Sequence, residues 1–242
     1  MELKNIILKK NILMQDKNLF YDDKIVIKPW GHEYVVYRDR NKLCVTLLKI
    51  NYNHKTSLHC HPKKKSGFIL LKGNALFQLG LWKKRSEIHK SPSKRMISRG
   101  LFHSIKSVSK SGLIALEFET PVDKKDLVRL KDSYGRKDKS YEGKEYTKNL
   151  DKNFIKFKKP SYNQKQIFNF GKVSVSLELH KNFKKILKNK PKTIFGILGG
   201  SIIDPNGREV LSSGDIIRTN DFKVFSKVFK IKKTLSIVRI VK

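Results

Sequence analysis

Short apolar runs of strand length, rich in β-branched and aromatic residues, recur along the chain. In the first half they are KIVIKPW, EYVVY, CVTLLKI, GFILL, ALFQLG and GLIALEFE. Gly, Asn, Ser and Pro separate them at strand-plus-turn intervals, which predicts an all-β protein built as a sandwich or barrel. One exception is KKDLVRLKDSYGRK, residues 124–137, where Leu127 and Leu130 on one face predict a short helix or a turn.

A polar interval divides the chain into two strand-rich halves. Residues 137–160, KDKSYEGKEYTKNLDKNFIKFKKP, have little periodicity and predict a linker. Beyond it KVSVSLELH alternates, TIFGILGGSII has the composition of a buried strand, and DPNG predicts a turn before KTLSIVRIV. We therefore expect an N-terminal extension, 1–24, and two related β-domains, 25–136 and 161–242.

The amount and distribution of charge bear on whether the protein binds nucleic acid. The chain has 242 residues and a formal net charge of +33. Residues 1–136 carry 29 Lys and Arg against 12 Asp and Glu, and residues 137–242 carry 25 against 9, so the charge is spread evenly. Without a basic stripe or interleaved aromatics, this distribution argues against a nucleic-acid binder. Weak polyanion binding and the steering of anionic substrates are the roles that such a charge could serve.

The expected location is the cytoplasm. Two cysteines, Cys44 and Cys60, imply no disulfide framework and favour a reducing compartment. Charges interrupt MELKNIILKKNILMQDK every few residues, unlike the apolar stretch of a signal peptide. The longest apolar run, IFGILGGSII, is shorter than the roughly 20 residues that cross a bilayer, so we expect no association with a membrane.

Candidate chemistry concentrates in SLHCHPKKKSGFILLKGNA, residues 57–75. His59 and His61 are one residue apart, so on a strand both side chains point to the same face, as two ligands of one metal ion require. His103, in RMISRGLFHSIKS, follows a glycine that permits a tight turn and is the candidate third ligand. We expect a divalent metal ion, with Zn, Mn, Fe and Ni not distinguished. A coincidental histidine pair is the alternative.

This spacing resembles the metal-binding signature of the cupin superfamily. The matching positions are His59, His61, Gly73, Gly100 and His103. Ser66 stands where the cupin glutamate is expected, and Ser98 where the cupin proline is expected. Two further blocks, KPWGHEYVVY at 28–37 and LIALEFETPVDKKDLVRLKDSYGR at 113–136, are similar to the opening and closing blocks of the type II phosphomannose isomerase domain. The resemblance covers 25–136 and implies a bicupin: two jelly-roll barrels, the second degenerate.

The resemblance also implies an activity. It is the metal-dependent interconversion of aldose and ketose forms of a phosphorylated sugar, such as mannose 6-phosphate, in nucleotide-sugar or polysaccharide metabolism. A small sugar phosphate is then the expected ligand, and a homodimer the expected assembly. Two alternatives stay open. The chain could be a non-catalytic sugar-binding or assembly module, which would suit Ser66 and the second domain without a histidine pair, or a three-histidine oxygenase-type cupin.

Particular residues follow from this resemblance. Arg129 and Arg136 are the candidate catalytic residues, since fixed guanidinium groups suit the recognition of a phosphorylated substrate. Lys64 and Lys65 are expected to add positive charge for the phosphate at the mouth of the site.

A carboxylate could also replace the missing acid ligand. Glu117 and Glu119 lie in phase on the predicted strand LIALEFE, so either could point inward.

Overall fold

Antiparallel β-strands make up most of the fold. The computed structural model describes residues 21–82, 84, 86–136, 144–162, 164 and 166–242. Among these residues no helix is both long and apolar enough to cross a membrane. The predicted extension, 1–24, lies largely outside the described residues.

The strands of the first barrel form two sheets. They are β1 (Lys24–Lys28), β2 (Gly31–Asp39), β3 (Leu43–Ile50), β4 (Leu58–Cys60), β5 (Lys65–Lys72), β6 (Asn74–Leu79), β7 (Ser86–Lys90), β8 (Ser93–Ile97), β9 (His103–Ser107), β10 (Leu113–Thr120), β11 (Val128–Lys131) and β12 (Thr147–Asn149), with a 3-10 helix at Lys144–Tyr146. Sheet A has the order β12-β1-β2-β3-β10-β5-β8, and sheet B has the order β11-β4-β9-β6-β7. The neighbours β3-β10-β5-β8 facing β4-β9-β6-β7 give the strand order of a jelly roll.

The second barrel repeats this order with one strand missing. Its elements are β13 (Gln166–Phe170), β14 (Val173–His180), α1 (Lys184–Leu187), β15 (Ile194–Gly199), β16 (Ile202–Ile203), β17 (Glu209–Leu211), β18 (Ile216–Arg218), α2 (Thr219–Phe225), β19 (Lys230–Ile231) and β20 (Leu235–Val241). Sheet C has the order β13-β14-β20-β15-β18, and sheet D has the order β17-β16-β19. Helix α1 stands at the place in the chain that β4 occupies in the first barrel. The prediction of an all-β fold with two jelly-roll barrels, the second reduced, is therefore confirmed.

Sheets A and C pack face to face and bury the joint between the barrels. Phe118 of β10 belongs to one apolar core with Ile194 and Val238 of the second barrel. Gly196 permits this contact, because a Cβ at that position would lie 2.5 Å from Cζ of Phe118. Since successive side chains of a strand alternate between faces, the neighbours of Phe118 on β10 point into the first barrel.

The described part of the expected linker, 144–160, is packed onto the first barrel. Strand β12 pairs with β1, with Asn149 opposite Lys24. The backbone N–H of Phe157 donates to the carbonyl of Val36 at 2.8 Å, and the Phe157 ring is buried in the joint core. These residues extend sheet A, while residues 137–143 lie outside the described part of the chain.

The segment 124–137 contains a strand where the sequence pattern favours a short helix or a turn. Strand β11 pairs with β4, and Arg129 lies opposite His59. Val128 and Arg129 find backbone partners on β4, and this long-range pairing overrides the helical spacing of Leu127 and Leu130, which is a weak local signal.

Candidate metal centre

Three histidines converge inside the first barrel. His59 lies on β4 directly opposite His103, the first residue of β9, and His61 follows the end of β4. The ring centroids are 4.5 Å apart for His59 and His103, 5.0 Å for His59 and His61, and 5.5 Å for His61 and His103. One ring nitrogen of each lies within 4.8 Å of those of the other two. The structure thus brings together the three candidate ligands that the sequence singles out.

Backbone carbonyls orient the three rings. Nδ1 of each ring faces a backbone carbonyl oxygen. The distances are 2.9 Å from His59 to Ser57, 2.5 Å from His61 to Asp126 and 3.0 Å from His103 to Leu101. A carbonyl can only accept, so each Nδ1 carries the hydrogen and each Nε2 keeps the lone pair that a metal ion needs.

The imidazoles fit a divalent metal ion. Nε2 of His103 is buried and has no hydrogen-bond partner within the described ranges. Such an atom normally has one. Two further ring nitrogens stand beside it, and three imidazoles are a donor set that suits divalent transition-metal ions.

The environment keeps the imidazoles neutral. Burial lowers the pKa of His61 to about 3 and that of His103 to about 4. Burial and the neighbouring imidazoles also hold the pKa of His59 well below its usual range. Because a metal ligand must be deprotonated, the three rings are ready to bind an ion at neutral pH.

Strand β10 supplies the carboxylates that Ser66 cannot. Glu119 is paired directly with Ser66 of β5, and Glu117 lies two residues earlier on the same face. Ligand oxygens of both carboxylates and a ring nitrogen of His61 lie within 4.8 Å of one another. The acidic groups therefore border the histidine cluster at His61. They lie on β10, whereas Ser66, the position at which the acid was expected, lies on the neighbouring strand β5.

The two carboxylates are not equivalent. Glu119 forms buried ion pairs with Lys64 and, at 2.7 Å, with Lys124. Burial opposes its ionisation, but the two ammonium groups outweigh burial and hold the pKa of Glu119 well below its usual range. Burial and then the charge of Glu119 raise the pKa of Glu117 well above its usual range. Glu119 is thus ionised and paired with the two lysines, whereas Glu117 is the carboxyl group suited to exchange a proton or bind a cation.

A cavity of about 80 Å³ lies beside the three histidines and the two carboxylates. Both predicted arginines line it. Arg129 lies opposite His59 in the strand pairing, and its Nε donates to Oγ of Ser57 at 3.3 Å. Its Nη1 donates to the carbonyl of Arg136 at 2.7 Å. The Arg136 guanidinium pairs with the carboxylate of Asp132, with Nη2 and Oδ1 2.8 Å apart. Asp132 therefore fixes the turn that carries Arg136.

The two predicted lysines point in different directions. Lys64 lines the cavity, where it binds Glu119. Lys65 pairs at 2.6 Å with Asp215 of the second barrel. It lies on the face of β5 that meets the second barrel, in phase with Gly67, whose Cβ position would clash with Ile216. This placement gives no support to a role for Lys65 in binding phosphate.

Sequence reasoning missed Asp126 and Lys124. The carboxylate of Asp126 accepts the backbone N–H of Lys63 at 3.0 Å and that of Lys64 at 2.8 Å, while its carbonyl holds His61. Asp126 thus clamps the loop after β4 to the histidine cluster. Nothing in the local spacing marks these residues, because their partners are more than 60 positions away for Asp126 and lie inside the barrel for Lys124.

An ion cluster occupies the corresponding place in the second barrel. Glu117 faces Phe68 on β5 in the first barrel, and Arg239 faces Phe195 on β15 in the second. Strand register therefore puts Arg239 at the position of Glu117.

Arg239 is held by groups of its own barrel. Its Nε donates to Glu178 at 2.5 Å and its Nη1 donates to Asn189, just after α1, at 3.0 Å. Nε2 of His180 lies 2.9 Å from the other oxygen of Glu178. Burial opposes ionisation of Glu178, but these partners lower its pKa to about 2. A guanidinium–carboxylate cluster thus surrounds the position in the second barrel that corresponds to Glu117.

No protein-family model matches the chain, and no curated protein matches it. Similar solved structures include a conserved protein with a double-stranded β-helix domain from Klebsiella pneumoniae (15% identity, TM-score 0.37, 41% of this chain and 84% of that one). KdgF from Halomonas sp. is 13% identical, with a TM-score of 0.37 over 42% of this chain and 89% of that one. The capsular polysaccharide assembling protein CapF from Staphylococcus aureus is 14% identical, with a TM-score of 0.39 over 45% of this chain and 34% of CapF. At these identities and TM-scores the neighbours assign no function to this chain.

Proposed function

We propose that the first barrel binds a divalent metal ion and interconverts the aldose and ketose forms of a phosphorylated sugar, with mannose 6-phosphate as the candidate substrate. The observation that carries this proposal is the convergence of three neutral imidazoles beside Glu117 in a cavity bordered by Arg129 and Arg136. His59, His61 and His103 would hold the ion. When bound, the ion would supply Lewis-acid polarisation of the carbonyl and hydroxyl oxygens of the sugar.

Proton transfer would fall to Glu117. Isomerisation removes a proton from one carbon and returns it to the adjacent carbon, so a single carboxylate facing both carbons suffices. Glu117 faces the cavity within ligand reach of His61, whereas Glu119 is neutralised by two lysines. Glu119 instead keeps Lys64 and Lys124 in place at the wall of the cavity.

The charge of the cavity favours an anionic substrate. Its cationic lining residues are Lys28, Lys64, Lys124, Arg129 and Arg136, and its carboxylates are Glu33, Glu117 and Glu119. Because Glu117 is neutral before an ion binds, five cations against the carboxylates of Glu33 and Glu119 leave three positive charges. A phosphate dianion would offset most of this excess, and Arg129 lies opposite His59 in the strand register.

Metal binding is tested first. Protein purified without chelator is expected to contain about one metal ion per chain by elemental analysis, and His103→Ala is expected to lose it. His89→Ala is the matched control, since His89 lies on β7 beside Glu87 outside the cavity. Equal metal content in His103→Ala and His89→Ala would contradict the assignment.

Turnover is tested by a coupled assay that converts mannose 6-phosphate to fructose 6-phosphate. Glu117→Gln is expected to lower kcat by about 10²–10⁴-fold with the metal still bound, because it removes the base and not a ligand. Arg129→Gln is expected to raise KM by about 10-fold or more through the loss of a charge-assisted contact. A wild-type rate no higher than that of His61→Ala would refute the isomerase activity, and loss of metal in Glu117→Gln would make this residue a ligand.

A non-catalytic sugar-binding or assembly role is the second candidate. It is favoured by the internal contacts of the arginines, because Arg136 is already paired with Asp132 and Arg129 with the carbonyl of Arg136. In that case calorimetry would detect binding of mannose 6-phosphate to the metal-loaded protein, and no fructose 6-phosphate would form.

A further inference from the structure

A turn of the second barrel contacts the first barrel at the start of β5 and the end of β10. Residues 212–215, between β17 and β18, form this turn, in which the N–H of Asp215 donates to the carbonyl of Ser212 at 3.1 Å. Two hydrogen bonds tie the turn to β15. The N–H of Gly214 donates to the carbonyl of Ile197 at 2.9 Å, and the N–H of Ile197 donates to the carbonyl of Asp215 at 2.8 Å. The turn is therefore fixed to the second barrel.

Three contacts join this turn to the first barrel. Oδ1 of Asp215 lies 2.6 Å from Nζ of Lys65, the first residue of β5. The hydroxyl of Thr120, the last residue of β10, donates to the carbonyl of Ser213 at 3.2 Å. Gly214 packs so closely on Thr120 that a Cβ at this glycine would lie 2.3 Å from the threonine Oγ1. Because Lys65 and Thr120 are paired with each other, the turn holds two strand ends at one place.

The residues next to these strand ends face the metal cavity. Lys64 precedes Lys65, Glu119 precedes Thr120, and Lys64 and Glu119 form a buried ion pair at the cavity wall. His61 lies on the same short loop as Lys64, between β4 and β5. Neighbouring residues move together because they share a peptide bond, and a close-packed interior transmits such a displacement. A shift of either strand end would therefore disturb the ion pair and the loop that carries His61.

We propose that the turn 212–215 is a positioning element of the metal cavity, with Gly214 and Asp215 as its positioning residues. Its contact with Lys65 fixes the loop after β4, and its contact with Thr120 fixes the end of β10. The ion pair inside the cavity keeps its geometry as a result. The second barrel, which has no histidine cluster of its own among the described residues, thus supports the cavity of the first.

The first test, which rests on the metal binding in the proposed function, measures the affinity of the whole protein for Zn²⁺ by calorimetry. Gly214→Ala is expected to lower the affinity about 10-fold, the lower end of the effect of removing an outer support of a metal ligand. Gly207→Ala is the matched control. Both glycines have a positive φ, +90° at Gly214 and +81° at Gly207, but among the described residues no heavy atom lies within 4 Å of a Cβ at Gly207.

A second pair of variants tests the ion pair to Lys65 and decides the matter if Gly214→Ala does not fold. Asp215→Asn is expected to lower the affinity about 2–5-fold, as for a partly exposed ion pair. Asparagine can still accept the N–H of Ser212, which Asp215 accepts at 2.8 Å. Asp204→Asn is the control, since Asp204 accepts the N–H of Arg208 at 2.8 Å within another turn of the second barrel. Affinities equal to those of the controls overturn the proposal.

The other test needs no metal, so its failure is distinct from a failure of the proposed function. Glu119→Gln is combined with Gly214→Ala and, separately, with Gly207→Ala, and the urea midpoint of each metal-free protein is measured. Residues of one network give non-additive effects. Glu119→Gln is therefore expected to lower the midpoint less in the Gly214→Ala background than in the Gly207→Ala background. Equal shifts overturn the proposal whether or not the protein binds metal, and the two aspartate variants replace the glycine backgrounds if Gly214→Ala does not fold.

Discussion

Replacing Glu119 by glutamine is expected to destabilise the metal-free protein by about 3–5 kcal/mol, the usual loss when one partner of a buried ion pair is removed. The side chains of Lys64 and Glu119 are only 3% and 4% exposed, and that of Lys124 is 12% exposed. Glutamine would therefore leave two buried ammonium groups without their anion. Partial ionisation of Glu117, freed from the repulsion of Glu119, would offset some of this loss and favours the lower end of the range.

The assay is urea unfolding of metal-free protein at pH 7, with Glu117→Gln as the matched control. Glu117→Gln is expected to change the free energy of unfolding by less than about 1 kcal/mol, because burial already favours the neutral form of this carboxyl group. The double variant is expected to lose more than the sum of the single variants, since Glu117 can no longer compensate. Equal losses in the two single variants would refute the assignment of distinct roles to these carboxylates.

Three further predictions concern the supports of the site and of the second barrel. Asp126→Ala is expected to lower metal affinity about 10–100-fold by calorimetry, because it frees the loop that orients His61; unchanged affinity would contradict this. Glu178 has a folded pKa of about 2 against an unfolded value near 4.5, so its pairing stabilises the protein fully above pH 4.5 and is lost as the pH falls through 2. Acid unfolding should show about 1–2 kcal/mol from this source after allowance for partial exposure, and Glu178→Gln should lack it. Gly196→Val is expected to destabilise by about 1–3 kcal/mol or more in urea, because its side chain would overlap Phe118; wild-type stability would show that the joint can yield.

The fold could be predicted largely because its signal is local. Alternating and apolar strand-length runs fall on β2, β3, β5, β10 and their counterparts, and glycine turns separate them. The segment around Arg129 is different, since a strand of four residues takes its identity from β4 rather than from its own pattern. The packing of 144–160 on the first barrel likewise depends on β1 and on the joint core, which are distant in the chain.

The candidate site divides in the same way. The histidines are recognisable from sequence because the one-residue spacing of His59 and His61 places both side chains on one face of a strand. His103 is recognisable because it follows a glycine that permits a tight turn. The roles of Glu117 and Glu119 could not be separated from sequence, since both share one face of β10. Lys64 and Lys124 distinguish them, and this ion cluster forms only when the loop between β4 and β5, which carries Lys64, and the segment after β10, which carries Lys124, both reach Glu119.

The second barrel has helix α1 where the first barrel has strand β4, and this difference bears on how many metal ions one chain can bind. His59 lies on β4 of the first barrel, and α1 takes the place of that strand in the second. Histidines introduced by point substitution in α1 would therefore not lie on a strand that points both side chains to one face. Within the described ranges, each polypeptide therefore has a single histidine cluster able to chelate an ion. A sigmoidal metal titration would then indicate communication between separate chains, because the described part of one chain offers a single histidine cluster.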